Sequence, residues 1–140
     1  MENLIQGLEL LSDKEPERFS GEGSGLYYDL LKIRFPEGFT VEKGIREEDL
    51  GRMIVPCTLQ LLLENVTKHN AISADAPIRI RIHTGDGFLE MENNRIPKAS
   101  PATSTGLGLQ YIRQQYLDFS GQEIEIDETA DSFRVRIPLL

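Results

Sequence analysis

The sequence predicts an α+β fold: a two-layer α/β sandwich with helices on one face of a mixed sheet of four or five strands. Leucine and valine recur at helical spacing between residues 56 and 69. Two later segments, 78–91 and 124–137, alternate apolar and polar residues, which is typical of half-buried strands paired as hairpins. Because the order from residue 56 onward is helix, hairpin, loop, helix and hairpin, we expect the helices to share one sheet face.

The composition is that of a single globular domain. The chain has 140 residues, of which 39% are hydrophobic and 27% charged, which is enough apolar surface for one core. Fifteen Lys and Arg against 23 Asp and Glu give a net charge of −8, which argues against nonspecific nucleic-acid binding. Cys57 is the single cysteine, which excludes an internal disulfide and a multi-cysteine zinc site.

No targeting signal is visible in the sequence. Its apolar runs are too short to span a bilayer. The first residues lack the basic segment and apolar stretch of a secretory signal. We therefore expect a soluble, cytoplasmic domain.

The first quarter of the chain contains two helical patterns separated by a connector. Leucines that include Leu4 and Leu8 predict a helix over residues 2–12, and a second helix is expected over 26–35. Residues 20–25 combine three glycines with two serines, as flexible connectors do. We interpret them as an engineered replacement for deleted native chain; a natural surface loop is the alternative.

The remaining elements follow from periodicity and turn residues. A strand is expected over 39–42, a polar loop or turn over 46–53, and a helix that Pro56 opens. Asp86-Gly87 predicts a hairpin turn, residues 93–105 a long loop, and residues 107–119 a second helix. The expected core positions of the two helices are Leu59, Leu62, Leu63 and Val66 in the first, and Leu109, Ile112 and Tyr116 in the second.

The first candidate site lies on the polar side of the 56–69 helix. Asn65 and His69 are four residues apart, as are Glu64 and Lys68, so each pair shares a surface. An amide beside a carboxylate can hold Mg²⁺, which prefers oxygen ligands and keeps several waters. An ordinary solvated face with one ion pair is the simpler alternative.

The second candidate site is the segment 104–109, Ser-Thr-Gly-Leu-Gly-Leu. Its two glycines precede a helix, so the backbone can approach a ligand closely and the helix N-terminus can hold an anion. This pattern suits a phosphate, although two such glycines can also form a tight turn. The segment is neither a Walker motif nor a dinucleotide-binding fingerprint.

Together the two segments resemble the GHKL (Bergerat-fold) ATPases. Residues 62–70, Leu-Leu-Glu-Asn-Val-Thr-Lys-His-Asn, resemble the N box of that family, and residues 104–109 resemble its second glycine box. Residues 30–35, Leu-Leu-Lys-Ile-Arg-Phe, and the final strand resemble the catalytic domain of LytS-type bacterial sensor histidine kinases. The resemblance covers residues 26–140.

This resemblance implies a site for ATP and Mg²⁺. Asn65 would be the Mg²⁺ ligand and, with Glu64 activating or ordering water, would form the catalytic pair. Residues 95–105 would form the lid over the nucleotide. The other residues that would contact the nucleotide are Lys68, His69, Asn70, Asn94, Thr105, Gly106, Leu107 and Gly108.

The first glycine box departs from the family pattern. Asn94 falls where the family has an aspartate that accepts a hydrogen bond from the adenine amino group, and a neutral acceptor makes a weaker bond than a carboxylate. Arg95 and Pro97 stand where glycines are usual. The resemblance therefore implies weak adenine binding.

The resemblance also implies a larger protein around this domain. Residues 1–19 would be the remnant of a helical dimerisation and phosphoacceptor region, and the full protein would be a homodimer anchored in the inner membrane. The domain would transfer the γ-phosphoryl group of ATP to a histidine elsewhere in that protein, and a response regulator would receive it next. A degenerate regulatory module with weak nucleotide binding is the main alternative, and a serine kinase of the same superfamily is a third.

We predict that the chain by itself does not become phosphorylated. His69 lies in the N box and His83 on an expected strand, so neither is placed as a phosphoacceptor. Incubation with γ-labelled ATP should leave no acid-labile label on the protein. Label on either histidine would show that the phosphoacceptor had been assigned to the wrong part of the protein.

Overall fold

A computed structural model describes residues 2–4, 8, 37–97 and 107–140. Helix α1 covers Thr58–His69 and helix α2 covers Leu107–Ser120. The expected connector over 20–25, the expected helix over 26–35 and residues 98–105 of the expected loop lie outside the described residues. The strands are β1 (Glu2–Asn3), β2 (Phe39–Gly44), β3 (Met53–Ile54), β4 (Ile78–Gly85), β5 (Phe88–Asn94), β6 (Glu125–Glu128) and β7 (Ser132–Pro138).

The main sheet has five strands in the order β2-β4-β5-β7-β6. Strands β2 and β4 are parallel, whereas the other neighbours are antiparallel. A parallel pair requires a crossover connection, and α1 lies in the chain between β2 and β4. The predicted α+β fold with a mixed sheet is confirmed.

Strands β4 and β5 form the predicted hairpin. Asp86 and Gly87 have φ values of 52° and 81°, and two positive φ angles in succession give the turn whose twist matches that of paired strands. Strand β5 stays paired through Asn93 and Asn94. The loop expected over 93–105 therefore begins later than predicted, because β7 pairs with both residues and β4 pairs with Asn93.

One face of the sheet carries the core. In β4 the isoleucines are buried, whereas Arg79 and Arg81 between them are exposed, as the alternation predicts. The expected α1 stripe is buried, as are Ile112 and Tyr116 of α2, and Leu109 packs against the same core. Because these residues form one cluster, the helices and the inner face of the sheet share a single core.

Helix α1 begins at Thr58, two residues later than Pro56. Cys57 has a φ of 68°, a left-handed conformation that a right-handed helix does not include. The Thr58 hydroxyl donates to the Val55 carbonyl at 2.6 Å, so its contact with the Tyr116 hydroxyl at 3.0 Å takes its proton from the tyrosine. That buried tyrosine on α2 also accepts the Val55 N–H at 3.1 Å, so α2 fixes the start of α1.

The N-terminal residues join the domain differently from the prediction. Glu2–Asn3 form a strand that pairs with β3, where the sequence pattern predicted a helix. The pairing supplies backbone partners that a helix end would lack. Leu4 and Leu8 are helical and buried in the main core, so the apolar spacing identified the right core residues.

A buried carboxylate, Glu90, lies at the centre of the outer face of the sheet. Its side chain is 10% exposed and contacts His83 on β4. Arg134 Nε lies 3.0 Å from one carboxylate oxygen and Arg136 Nη2 lies 3.8 Å from the same oxygen. Glu90 therefore joins β4 to β7 through charge as well as through the backbone ladder.

We predict that Glu90→Gln lowers the free energy of unfolding by about 1–2 kcal/mol, because it leaves the neighbouring cations without their common carboxylate. Glu42→Gln is the matched control. Glu42 is 77% exposed and 3.7 Å from Arg81, so its change should cost under about 0.5 kcal/mol. Urea unfolding measures both values, and equal losses would contradict the assignment.

Candidate functional site

The polar side of α1 has an accessible amide at Asn65. Asn65 and Glu64 are partly exposed, and Lys68 and His69 are exposed. Gln60 donates to the Glu64 carboxylate at 3.1 Å, and among the described residues no ion pair joins Glu64 to Lys68. No protein donor or acceptor for the Asn65 side chain is found in the described part of the chain, so its amide is available to a ligand.

The N-terminal end of α2 lies beside this face of α1. A Cβ placed on Gly108 would stand 3.8 Å from Cδ2 of Leu61, and Leu61 is one turn before Asn65 on the same side of α1. Backbone N–H groups point outward at the N-terminal end of a helix and attract anions. Asn65 and the N-terminal end of α2 therefore lie on the same side of α1.

Gly108 has space for a side chain. The 3.8 Å separation is an ordinary van der Waals contact, and Gly108 is not among the described glycines with positive φ. Neither backbone conformation nor packing among the described residues therefore requires a glycine here. Leu107 beside it is 64% exposed, and the predicted residues Thr105 and Gly106 lie outside the described residues.

Asn94 uses its side chain to hold the sheet. Its Oδ1 accepts the Arg79 N–H at 2.5 Å and its Nδ2 donates to the Pro77 carbonyl at 3.2 Å. The residue lies on the outer face, opposite the helices, because it is in phase with Glu90 and Glu92 along β5. Both functional groups of the predicted adenine acceptor are thus bonded to the backbone at the start of β4.

Asn93 is the residue that faces the helices at the end of β5. It pairs with Ile80 and Phe133 in the ladders and is 3% exposed. Its Nδ2 donates to the Asn94 carbonyl at 2.9 Å, and no donor to its Oδ1 is found among the described residues. Asn93 was not among the predicted site residues, although its position in phase with the buried Leu89 and Met91 identifies it.

Asn70 connects the end of α1 to the chain that leaves β5. It is 4% exposed, its Nδ2 donates to the Val66 carbonyl at 2.9 Å and its Oδ1 accepts the Ile96 N–H at 2.8 Å. Asn70 also forms an isolated bridge with Pro97. Its amide therefore contacts the protein backbone at both ends.

Arg95 is held away from the α1 face. Its guanidinium donates to the Thr129 carbonyl at 2.5 Å and lies 3.1 Å from the Glu128 carboxylate. Its backbone N–H donates to the Asp131 carbonyl at 2.9 Å. The turn between β6 and β7 thus engages this side chain.

The described residues contain neither a cluster of metal-binding side chains nor a helix that could cross a membrane. Within the described ranges, no three His, Cys, Asp or Glu side chains come together as a metal-binding group. Neither α1 nor α2 has the length and hydropathy needed to cross a bilayer.

Solved structures with this fold include catalytic domains of a histidine kinase. One nucleotide-free crystal form of the catalytic domain of histidine kinase ThkA aligns with 79% of this chain and 88% of its own, at 18% identity and a TM-score of 0.54. A second form aligns with 79% and 86%, at 20% identity and a TM-score of 0.52. No protein-family model matches the chain, nor does any curated protein. The chain has the fold of a histidine kinase catalytic domain.

We predict that Gly108→Ala does not reduce the stability of the fold. Inside a helix, alanine is favoured over glycine by about 0.5–1 kcal/mol, and the new methyl group has room beside Leu61. Urea unfolding should give an equal or higher free energy. A lower value would mean that the fold itself requires glycine at this position.

Proposed function

We propose that this chain is the ATP-binding catalytic domain of a two-component sensor histidine kinase of the LytS type. It would transfer the γ-phosphoryl group of ATP to a histidine outside the chain. The carrying observation is that Asn65 of α1 lies on the α1 face beside the N-terminal end of α2. The likeness in fold to the ThkA catalytic domain supports the same function.

The phosphate half of the proposed site lies between the two helices. Asn65 would bind Mg²⁺ through its amide oxygen, and Glu64 would order a water next to the metal. Backbone N–H groups at the start of α2 would hold phosphate oxygens, with Lys68 and His69 adding donors from α1. Transfer of a phosphoryl group then depends on positioning and charge stabilisation.

The adenine half lies at the end of β5. We assign the acceptor for the adenine amino group to Asn93, because its Oδ1 has no donor among the described residues and its side chain is on the helix side of the sheet. Asn94 is an unsuitable acceptor because its amide already holds the backbone of residues 77 and 79. A neutral acceptor makes weak adenine binding the expected result.

The partners of this function are a phosphoacceptor helix and a response regulator. The full protein would be a homodimer anchored in the inner membrane, with this domain in the cytoplasm.

A regulatory module with little nucleotide binding is the second candidate. It is favoured by Arg95, whose engagement with Thr129 and Glu128 keeps it from a phosphate.

Calorimetric titration with a nonhydrolysable ATP analogue, with and without Mg²⁺, tests the proposal. We expect weak binding that Mg²⁺ strengthens, and Asn65→Ala should remove the Mg²⁺ dependence because it removes the metal ligand. Gly108→Ala should weaken binding of Mg²⁺-triphosphate while it preserves stability. Absence of binding at millimolar analogue would favour the regulatory module.

We predict that Asn93→Asp tightens ATP binding about fivefold, since a charge-assisted hydrogen bond is about 1 kcal/mol stronger than a neutral one. Inorganic triphosphate should bind as before. Asn94→Asp is the control on the opposite face, and we expect it to leave the ATP affinity unchanged. If Asn94→Asp tightens ATP binding and Asn93→Asp does not, then Asn94 is the adenine acceptor.

A further inference from the structure

We propose that Asn70 is a positioning residue that holds the two halves of the nucleotide site at a fixed separation. This inference rests on the proposed function. The sequence predicted that Asn70 contacts the nucleotide, whereas in this proposal its amide contacts the protein backbone.

The bonds of Asn70 join the elements that carry the two halves. Its Nδ2 bonds the Val66 carbonyl in the last turn of α1, and its Oδ1 bonds the Ile96 N–H beyond β5. Asn65 is five residues before Asn70 on α1, and Asn93 is three residues before Ile96. One buried side chain therefore links the helix that carries the proposed metal ligand to the chain that leaves the strand of the proposed adenine acceptor.

The backbone around Asn70 strengthens this connection. Ala71 N–H donates to the Ile96 carbonyl at 2.7 Å, next to the bridge between Asn70 and Pro97. On its other side the same stretch is held by the bond from Arg95 N–H to the Asp131 carbonyl. The chain leaving β5 thus has fixed contacts on both sides, and Asn70 supplies the side-chain contact toward α1.

An asparagine fits this position for a geometric reason. Asn70 has φ −127° and ψ 145°, so it ends the helix and leaves the late carbonyls of α1 without partners. A planar amide offers a donor and an acceptor at once, which satisfies a helix carbonyl and a strand-exit N–H together. Because the residue is buried, water does not replace these bonds easily.

The role predicts a difference between ligands that span both halves and ligands that occupy one. ATP contacts both halves of the site at once, so it gains affinity when their separation is fixed before it binds. If the halves can shift, part of the binding free energy is lost in bringing them to the right separation. Adenosine and inorganic triphosphate each contact one half, so the relative position of the halves does not affect their binding. Loss of Asn70 should therefore weaken ATP selectively.

The test compares three ligands on three forms of the full 140-residue chain. Dissociation constants for the ATP analogue, adenosine and Mg²⁺-triphosphate are measured from amide NMR shifts, which remain usable at millimolar affinity. We expect Asn70→Ala to raise the ATP constant roughly tenfold and to leave the other two within about twofold. Ser120→Ala is the matched control, since Ser120 bonds the Tyr116 carbonyl and the Gln122 N–H at the end of α2; its constants should match wild type.

Each outcome decides the matter. An unchanged ATP constant in Asn70→Ala, or an equal loss for all three ligands, overturns the positioning role. If that variant fails to fold, Asn70→Asp keeps the acceptor for Ile96 N–H but removes the donor to the Val66 carbonyl, so it should also weaken ATP while adenosine and Mg²⁺-triphosphate stay within about twofold of wild type; an unchanged ATP constant there also overturns the role. If the wild-type chain binds none of the three ligands, both the proposed function and this inference are wrong.

Discussion

The packing of the α1 stripe against the inner face of the sheet is the constraint on which the rest of the molecule depends. Burial of Leu59, Leu62, Leu63 and Val66 fixes the rotation of α1 about its own axis, because each side chain contributes about 1.5–3 kcal/mol when removed from water. With that rotation fixed, Asn65 lies outside the buried stripe, on the same side of α1 as Leu61. The Tyr116 hydroxyl restricts α1 further, because it bonds α2 to Val55 before α1 and to Thr58, the first residue of α1.

Periodicity predicted the fold because burial selects one face of each element. The alternation in β4 and the helical spacing in α1 specify which side chains meet, whatever their exact boundaries. Asp86-Gly87 specifies its turn through local backbone preference. Glu2–Asn3 and the start of α1 differ from the prediction because both depend on distant partners, β3 and Tyr116, which no local pattern encodes.

The residues of the candidate site stay predictions. Asn65 and the start of α2 were selected from residue type and spacing, and in the structure Gly108 packs beside Leu61, one turn before Asn65. Asn94 was selected by counting along a motif, but the face on which a strand residue lies follows from its parity, which places Asn93 on the helix side. The bonds of Asn70 and Arg95 join residues 26 and 34 positions apart, so their engagement depends on tertiary structure.

The two ends of the described chain flank the same short strand. Glu2–Asn3 pair with one edge of β3, while Leu140 exchanges both backbone hydrogen bonds with Met53 at 3.0 and 2.9 Å on the other edge. Strand β3, which is only two residues long, is therefore paired along both edges, so residues 2–4 and residues 139–140 are held in place by the same short segment.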